Sequence, residues 1–520
     1  MRIFGYVMCH NMDSNVSASG KAKRNVVVWL DFGPYAYINF GIISALSKLE
    51  QFNFIGVVTT KSDVDFFQKQ TIIPFHKLLY YPDCYIGKPR FDLDTIASFE
   101  KQLGANIWLD VFAERSFYKY WTDFHKFTRD EILSISGNSI SFFLDVMKTH
   151  KPSLVLMQQA GENISNILLY RVAKKLGIKI IMPNQLYLRN KIVLSDNLVS
   201  REISDEFYKL VETSTDSTEV YDTEFIKKQD RSESINLLLQ ESNFKQGLLQ
   251  RIRHYANRLS YDREPVYKNM GKTKLKLFRY RLQSRFDAKK RKEFLDSNSI
   301  KAIVDEKFLY FPLSTEPEAR ILATSPFYTN QIMLIENIAK SIPIDYVLYV
   351  KEHPVQRLKL WRSIDDYKKI LAIPNVRLVH PDVKNTDLLL KSNAVTAISG
   401  GTAFEAIFHK KPVILFGDEY YDVLPMVTKV ESFDTLPQVI KRALSDFKFD
   451  DKKLGTFMQA FNKHSLDVPY HSLIVDGDVL SSVQSLGYGS DVTIGRFLAY
   501  YEKYRSYFEL MAQHLHSKIR

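Results

Sequence analysis

Three segments of the chain carry residue types able to hold a nucleotide monophosphate or diphosphate. They are FPLSTEPEA (Phe311 to Ala319), VLYVKEHP (Val347 to Pro354) and AISGGTAFEAIFHKKPVILFG (Ala397 to Gly417). Each contains a continuous apolar run, the pattern of a strand buried on both faces in a parallel sheet. Polar residues follow at once, and open parallel sheets bind ligands beyond the carboxyl ends of their strands. In the third segment the spacing predicts a strand from Ala394 to Ile398, a tight turn Ser399-Gly400-Gly401-Thr402, and a helix from Ala403 to His409. The glycines let the backbone approach a ligand, Ser399 and Thr402 offer hydroxyls and an N-cap, and the first helical N–H groups face an anion. Glu405 is spaced to accept from ribose hydroxyls.

In the second segment Pro354 turns His353 from helix toward extended backbone, so the strand ends at Lys351-Glu352-His353. Lysine and histidine there are phosphate donors, or the ordinary charges of a surface strand end. In the first segment Pro312 and Pro317 bracket Glu316, with Glu318 beside it. Paired carboxylates suit sugar hydroxyls or acid–base work, or equally a solvated loop and a helix N-terminus.

The order FPL-x3-PEA, NQ-x3-I, LYVKEHP, PNVRLV and SGGTAFEA-x4-KPVILFG resembles the bacterial capsule-polysaccharide synthesis family. Its members look like GT-B glycosyltransferases, and the better-known ones transfer Kdo from CMP-Kdo. Upstream, LGANIWLDVFAERSFYKY, KPSLVLM, LGIKIIMPNQ and KIVLSDN are similar more loosely, so the resemblance runs roughly from Leu103 to Tyr421. It implies that His353 contacts the donor phosphate, that Ser399 to Thr402 cradle it, and that Glu405 holds the ribose. Lys351 and Glu318 join that donor side. One departure stands out: the family often has Gly-Thr-Ala-Gly before an aromatic and Glu-Ala, whereas this chain has Gly400-Gly401-Thr402-Ala403-Phe404.

The elements that must position these residues are legible too. The first half alternates strands (Val26 to Phe32, Phe54 to Thr59, Leu78 to Tyr81, Leu154 to Met157, Lys179 to Met182) with helices (Tyr37 to Leu49, Glu131 to Thr149, Asn163 to Leu176). An aromatic-rich helical region over Phe91 to Tyr120 lies between them. Such a βαβ series predicts a parallel sheet. The expected architecture is α/β and GT-B-like: two Rossmann-like domains facing a cleft, with a C-terminal helical tail. Residues 1–300 form the acceptor-side domain, with a helical insertion over about 205–295. Residues 301–485 form the donor domain, and 486–520 a tail that braces the first domain or carries aromatics to a membrane. A chain of 520 residues, 45% hydrophobic and 25% charged, fits two globular domains.

The acceptor side offers several candidate bases at strand ends: Asp31, Glu162, the pair Asn184 and Gln185, and Glu316 on the facing domain. No cofactor or metal is implied, because no DxD stands at a strand end. Cys9 and Cys84, without a CxxC, exclude a disulfide framework and a zinc site. No apolar run reaches the roughly 18 residues that span a bilayer, and the start of the chain is a poor signal peptide, so the expected compartment is the cytoplasm. The net charge of +12 is spread out, apart from the dense block from Lys272 to Phe294, and no nucleic-acid module accompanies it. That block spaces Leu275, Phe278, Leu282 and Phe286 helically among basic residues. It either lies on an anionic membrane through Lys272–Lys292 or packs on its own domain with a solvated basic face. The expected activity is sugar transfer from a nucleotide-activated donor to a glycan or glycolipid acceptor of a capsule or similar polysaccharide. The rivals are a sugar-nucleotide epimerase, a CDP-polyol phosphotransferase, and a capsule-assembly scaffold.

Overall fold

The structure is a computed structural model that describes residues 23–31, 33–88, 91–119, 124–161, 163–213, 269, 271–316, 318–354, 356, 362–476, 479 and 492–520. Glu162 and most of the expected insertion lie outside the described residues.

The first sheet contains β1 (Arg24–Leu30), β2 (Phe52–Val58), β3 (Phe75–Tyr80), β4 (Leu154–Leu156), β5 (Lys179–Gln185) and β6 (Lys191–Ser195). The second contains β7 (Phe308–Pro312), β8 (Val347–Lys351), β9 (Val376–Val379), β10 (Ala394–Ala397), β11 (Val413–Leu415) and β12 (Val427–Lys429). A two-residue strand β13 (Leu466–Asp467) returns from the second half and pairs antiparallel with β6. The spatial orders are β13-β6-β5-β4-β1-β2-β3 and β12-β11-β10-β7-β8-β9. Every pairing in the second sheet is parallel, as are those among β1 to β5. Read from β9, the second sheet runs third, second, first, fourth, fifth and sixth strand, the doubly wound Rossmann order. The fold is α/β and GT-B-like.

Most elements form where local chemistry dictates. The run Val26 to Leu30 is wholly buried, with helices on both faces of its sheet. The helix Arg129–His150 starts at a Thr128–Glu131 capping box and ends at Lys151 in the left-handed region. The expected helical region over Phe91 to Tyr120 is broken in two, Leu93–Leu103 and Ile107–Phe112, because Gly104 stops the first at φ 63°. β3 starts three residues before the expected Leu78, where Phe75 pairs with Phe54 across a register shift.

The tail forms helices Ile494–Lys503 and Arg505–Ile519. Tyr500, Tyr501, Phe508, Met511 and Leu515 are buried in the same core as helix Pro34–Leu46. The Phe508 ring lies over Gly41, where a Cβ would stand 2.6 Å from it. A helix-interior glycine is unfavourable by about 1 kcal/mol against alanine, and this contact explains it. Among the described residues no helix is long and apolar enough to cross a membrane.

Candidate functional site

A doubly wound sheet opens a crevice where its strand order reverses, because the connections on either side leave in opposite directions. In the second sheet that point lies between β7 and β10. The segment after β7 carries Ser314 to Glu318; the segment after β10 carries Ser399 to Thr402. Lys351 ends β8, the next strand along, and His353 follows it. The structure therefore gathers all three chemical segments at one sheet edge. In the first sheet the reversal lies between β1 and β4, followed respectively by Asp31 and by Gln158 to Gly161.

The two reversal points meet. Gly161, at φ 146°, approaches Ala319 so closely that a Cβ on it would stand 2.7 Å from the alanine Cβ and 2.8 Å from the alanine carbonyl oxygen. Lys119 Nζ of the first half donates to Glu316 Oε2 of the second at 2.7 Å. Leu322 of the second half is buried in the first half's core.

On the first side, Asp31 is buried. Its Oδ1 accepts from the Thr59 hydroxyl at 3.3 Å, and its Oδ2 accepts a short bond from the Gln158 amide. The ends of the two neighbouring strands, β2 and β4, thus hold this carboxylate. Asn184 is turned inward, donating to the Asn197 carbonyl at 3.1 Å and toward the Ser200 hydroxyl at 3.3 Å.

On the second side, Glu316 is a hub. Besides Lys119 it accepts from Gln331 Nε2 at 2.7 Å and pairs with Arg362 at 3.4 Å. Burial pushes its carboxyl up, but Arg362 and Lys119 outweigh that and hold it below the ordinary carboxylate range. Such a group is a weak proton acceptor and a strong clamp. Glu352, buried beside Lys351, pairs with Arg362 Nε at 2.6 Å and accepts from the Tyr367 hydroxyl at 2.6 Å. It also accepts from the His353 N–H at 2.7 Å, which fixes the backbone that presents the imidazole. Lys351 is buried and His353 half-buried. Glu318 stands at the N-cap position of helix Ala319–Thr324 but makes no side-chain cap hydrogen bond.

The glycine turn differs from the sequence expectation. The helix runs Gly401–Phe408, and its N-cap is Gly400 at φ 112°, without a side-chain cap hydrogen bond. Neither Ser399 nor Thr402 caps it, because the turn passes through a conformation open to glycine alone. Gly400 N–H donates instead to Glu419 Oε1 at 3.0 Å. Glu405 Oε2 accepts from Asn385 Nδ2 at 3.2 Å, and Asn385 Oδ1 accepts from the Tyr310 hydroxyl at 2.8 Å. This chain of bonds fixes the Glu405 carboxylate beside the turn.

Sequence reasoning missed Glu419, Arg320 and Tyr187. Burial pushes the Glu419 carboxyl up despite Arg320, Tyr187 and the Gly400 N–H around it. Its Oε1 accepts a short bond from the Tyr187 hydroxyl, and its Oε2 lies 3.4 Å from Arg320 Nη1. Arg320 also reaches the Gln185 carbonyl, and its guanidinium lies 4.5 Å from the Tyr187 ring centroid. Beside this cluster Arg201 donates to Asp422 at 2.8 Å. The signal was available for Glu419: it follows β11 in FGDEYYD, at a strand's carboxyl end like the others.

No curated protein matches the chain. Among solved structures it is similar to a UDP-GlcNAc 2-epimerase from Methanocaldococcus jannaschii, at 15% identity and TM-score 0.25 over 84% of this chain and 98% of that one. It is similar to the Thermosulfurimonas dismutans KpsC beta Kdo 2,4 transferase at 12% identity and TM-score 0.32, over 61% and 85%. For the beta Kdo 2,7 transferase of the same KpsC the values are 12% and 0.29, over 61% and 78%. Residues 224–450 of the chain match the family described as "Capsule polysaccharide biosynthesis protein".

Proposed function

We propose that this protein is a glycosyltransferase that moves a sugar from a nucleotide-activated donor, of the CMP-Kdo type or another, to a growing capsule or surface polysaccharide. The observation that carries the reading is the apposition of two switch points. One is edged by cationic and N–H phosphate donors, the other by a held carboxylate. Lys351, His353 and the N–H groups that open helix Gly401–Phe408 stabilise charge on the leaving phosphate, the electrostatic contribution usually largest in such catalysis. Ser399, Gly400, Gly401 and Thr402 shape that cradle. Glu405, fixed by Asn385, takes the ribose, and Glu318 lies on the same edge.

Asp31 or Glu162 takes the proton of the acceptor hydroxyl, while Glu316 clamps the two halves. The cations in this scheme are side chains, so it calls for no metal. Residues 1–300 serve the acceptor and 301–485 the donor. The enzyme works in the cytoplasm, at the inner face of the membrane, with Lys272–Lys292 toward anionic lipid.

Thermal unfolding with CMP, UDP, GDP or CDP tests the donor side. A ligand at a hundred times its dissociation constant adds about 2.7 kcal/mol. Slow hydrolysis of the matching sugar nucleotide without acceptor supports a transferase. Release of an epimer would make it an epimerase, and transfer of a polyol phosphate from a CDP donor a phosphotransferase. If no nucleotide stabilises the fold and no donor is consumed, the catalytic reading fails and the scaffold stands.

A further inference from the structure

Helix Lys274–Asn298 reaches across both halves of the molecule. Near its start, Lys276 Nζ donates to the Phe124 carbonyl at 2.5 Å, and the Tyr280 and Phe124 rings are 5.1 Å apart. Near its end, Leu295 enters the second half's core and Asp296 meets His380 at 3.0 Å. The docked face carries Leu277 and Leu295, at 3% and 7% exposure. At roughly 100° per residue these two share an azimuth.

The opposite face is the unusual one. Leu275, Phe278, Leu282 and Phe286 are 59%, 55%, 48% and 61% exposed, and they fall within about 80° of one another, half a turn from Leu277. A helix docked on its own domain should have buried this ridge, and it did not. Exposed basic residues flank the ridge, Arg279 and Lys290 on one side and Arg285 on the other, while Lys289 stands within it, 3.9 Å from Glu293. Glu293 is also exposed and on the ridge's line, where it closes the C-terminal end.

We infer that this ridge inserts into the surface of an anionic phospholipid bilayer, the helix lying flat along it. The inference rests on the reading of a membrane-side enzyme and names the surface that would hold it there. Apolar side chains in line, bordered by cations, match an interface where acyl chains lie beneath negative headgroups. A protein partner would have to be both apolar and acidic along the same line. The four side chains reach into lipid while the flanking cations meet phosphates beside them.

The test is co-sedimentation with vesicles of phosphatidylcholine mixed with phosphatidylglycerol, against phosphatidylcholine alone, with no sugar nucleotide present. The parent should bind the mixed vesicles and bind the neutral ones much less. Phe278→Ser with Phe286→Ser should lower partition at least about tenfold at every salt concentration, since each removes apolar area from the bilayer. Arg279→Gln with Lys290→Gln should lower it chiefly at low salt. Phe286→Trp should blue-shift on adding mixed vesicles relative to the parent's own tryptophans. All these sites are exposed, so melting temperatures should stay at the parent value. A parent that ignores mixed vesicles, or a double-serine variant that binds like the parent, overturns the inference. So does a lipid-free dimer of the parent that the double-serine variant abolishes, which would make the ridge a contact between copies. Because no donor or acceptor is present, each of these failures leaves the transferase reading to its own nucleotide test.

Discussion

The Glu419 carboxylate accepts the Gly400 N–H at 3.0 Å, so the residue following β11 holds the turn following β10. The same oxygen takes the Tyr187 hydroxyl from the first half of the chain. The turn assigned to phosphate is therefore tied to the relative placement of the two sheets. A change in either half reaches the turn through one buried carboxylate, with Arg320 beside it.

Removing that tie should cost stability as well as donor affinity. Glu419→Ala leaves Arg320 without its buried partner and the Gly400 N–H without an acceptor. We expect a loss of about 3 kcal/mol in urea unfolding, the scale for breaking a buried pair. Glu419→Gln keeps an acceptor and should lose less. An alanine variant within about 0.5 kcal/mol of the parent, an ordinary surface effect, would show that the tie contributes nothing.

Glu316 and Glu419 should impose opposite pH dependences. Glu316 is held below its ordinary value by Arg362 and Lys119 against the pull of burial, so it supplies stability above that ordinary value and loses it as pH falls through the depressed one. Glu419 is raised by burial, so the folded form holds its proton more tightly. Its contribution favours acid and is lost as pH rises from the ordinary carboxylate value through the raised one. Unfolding free energies measured on both sides of the ordinary carboxylate value should therefore fall less steeply toward acid in Glu316→Gln. They should fall more steeply in Glu419→Gln. Slopes that change in the same direction would refute the assignment.

His353 and Glu405 should separate kinetically. If His353 acts on the leaving phosphate as proposed, His353→Ala removes stabilisation of charge that develops in the transition state, and kcat should fall by about 10²–10³. If Glu405 holds the ribose as proposed, Glu405→Ala should raise KM for the donor and spare kcat, because such a contact is felt alike before and during transfer. Asn385→Ala, which frees the Glu405 carboxylate, should resemble it in milder form. Normal melting together with parental turnover in His353→Ala would end the phosphate role.

Gly161→Ala tests the meeting of the switch points. The added methyl would stand 2.7 Å from Ala319 Cβ, on a backbone at φ 146° that other residues rarely adopt. Strain of this kind costs about 1–3 kcal/mol. The variant should unfold at lower urea and lose turnover more than nucleotide affinity, since the donor edge is intact while the halves move apart. Unchanged stability and turnover would mean that the halves do not need this approach.

Local pattern determined much of the molecule. Continuous apolar runs marked β8, β10 and β11 to within a residue or two, whereas β7 starts at Phe308, three residues before the segment read from Phe311, and the polar residues after the runs marked the strand ends. Both are near-neighbour properties, legible without knowing what lies across the sheet. Strand order was not legible: that β7 sits between β8 and β10, and so creates the switch point, depends on packing between distant segments. The partners of Glu316 and Glu419 were hidden for the same reason, since Lys119 lies 197 residues from the first and Tyr187 lies 232 from the second.

Helix Lys274–Asn298 shows the boundary most plainly. Its apolar spacing predicted a helix, but periodicity reports only that residues share a face, and the core took Leu277 and Leu295 while leaving Phe278 and Phe286 to solvent. Which face a helix buries is decided by the surface it meets, and that surface is built from the rest of the chain.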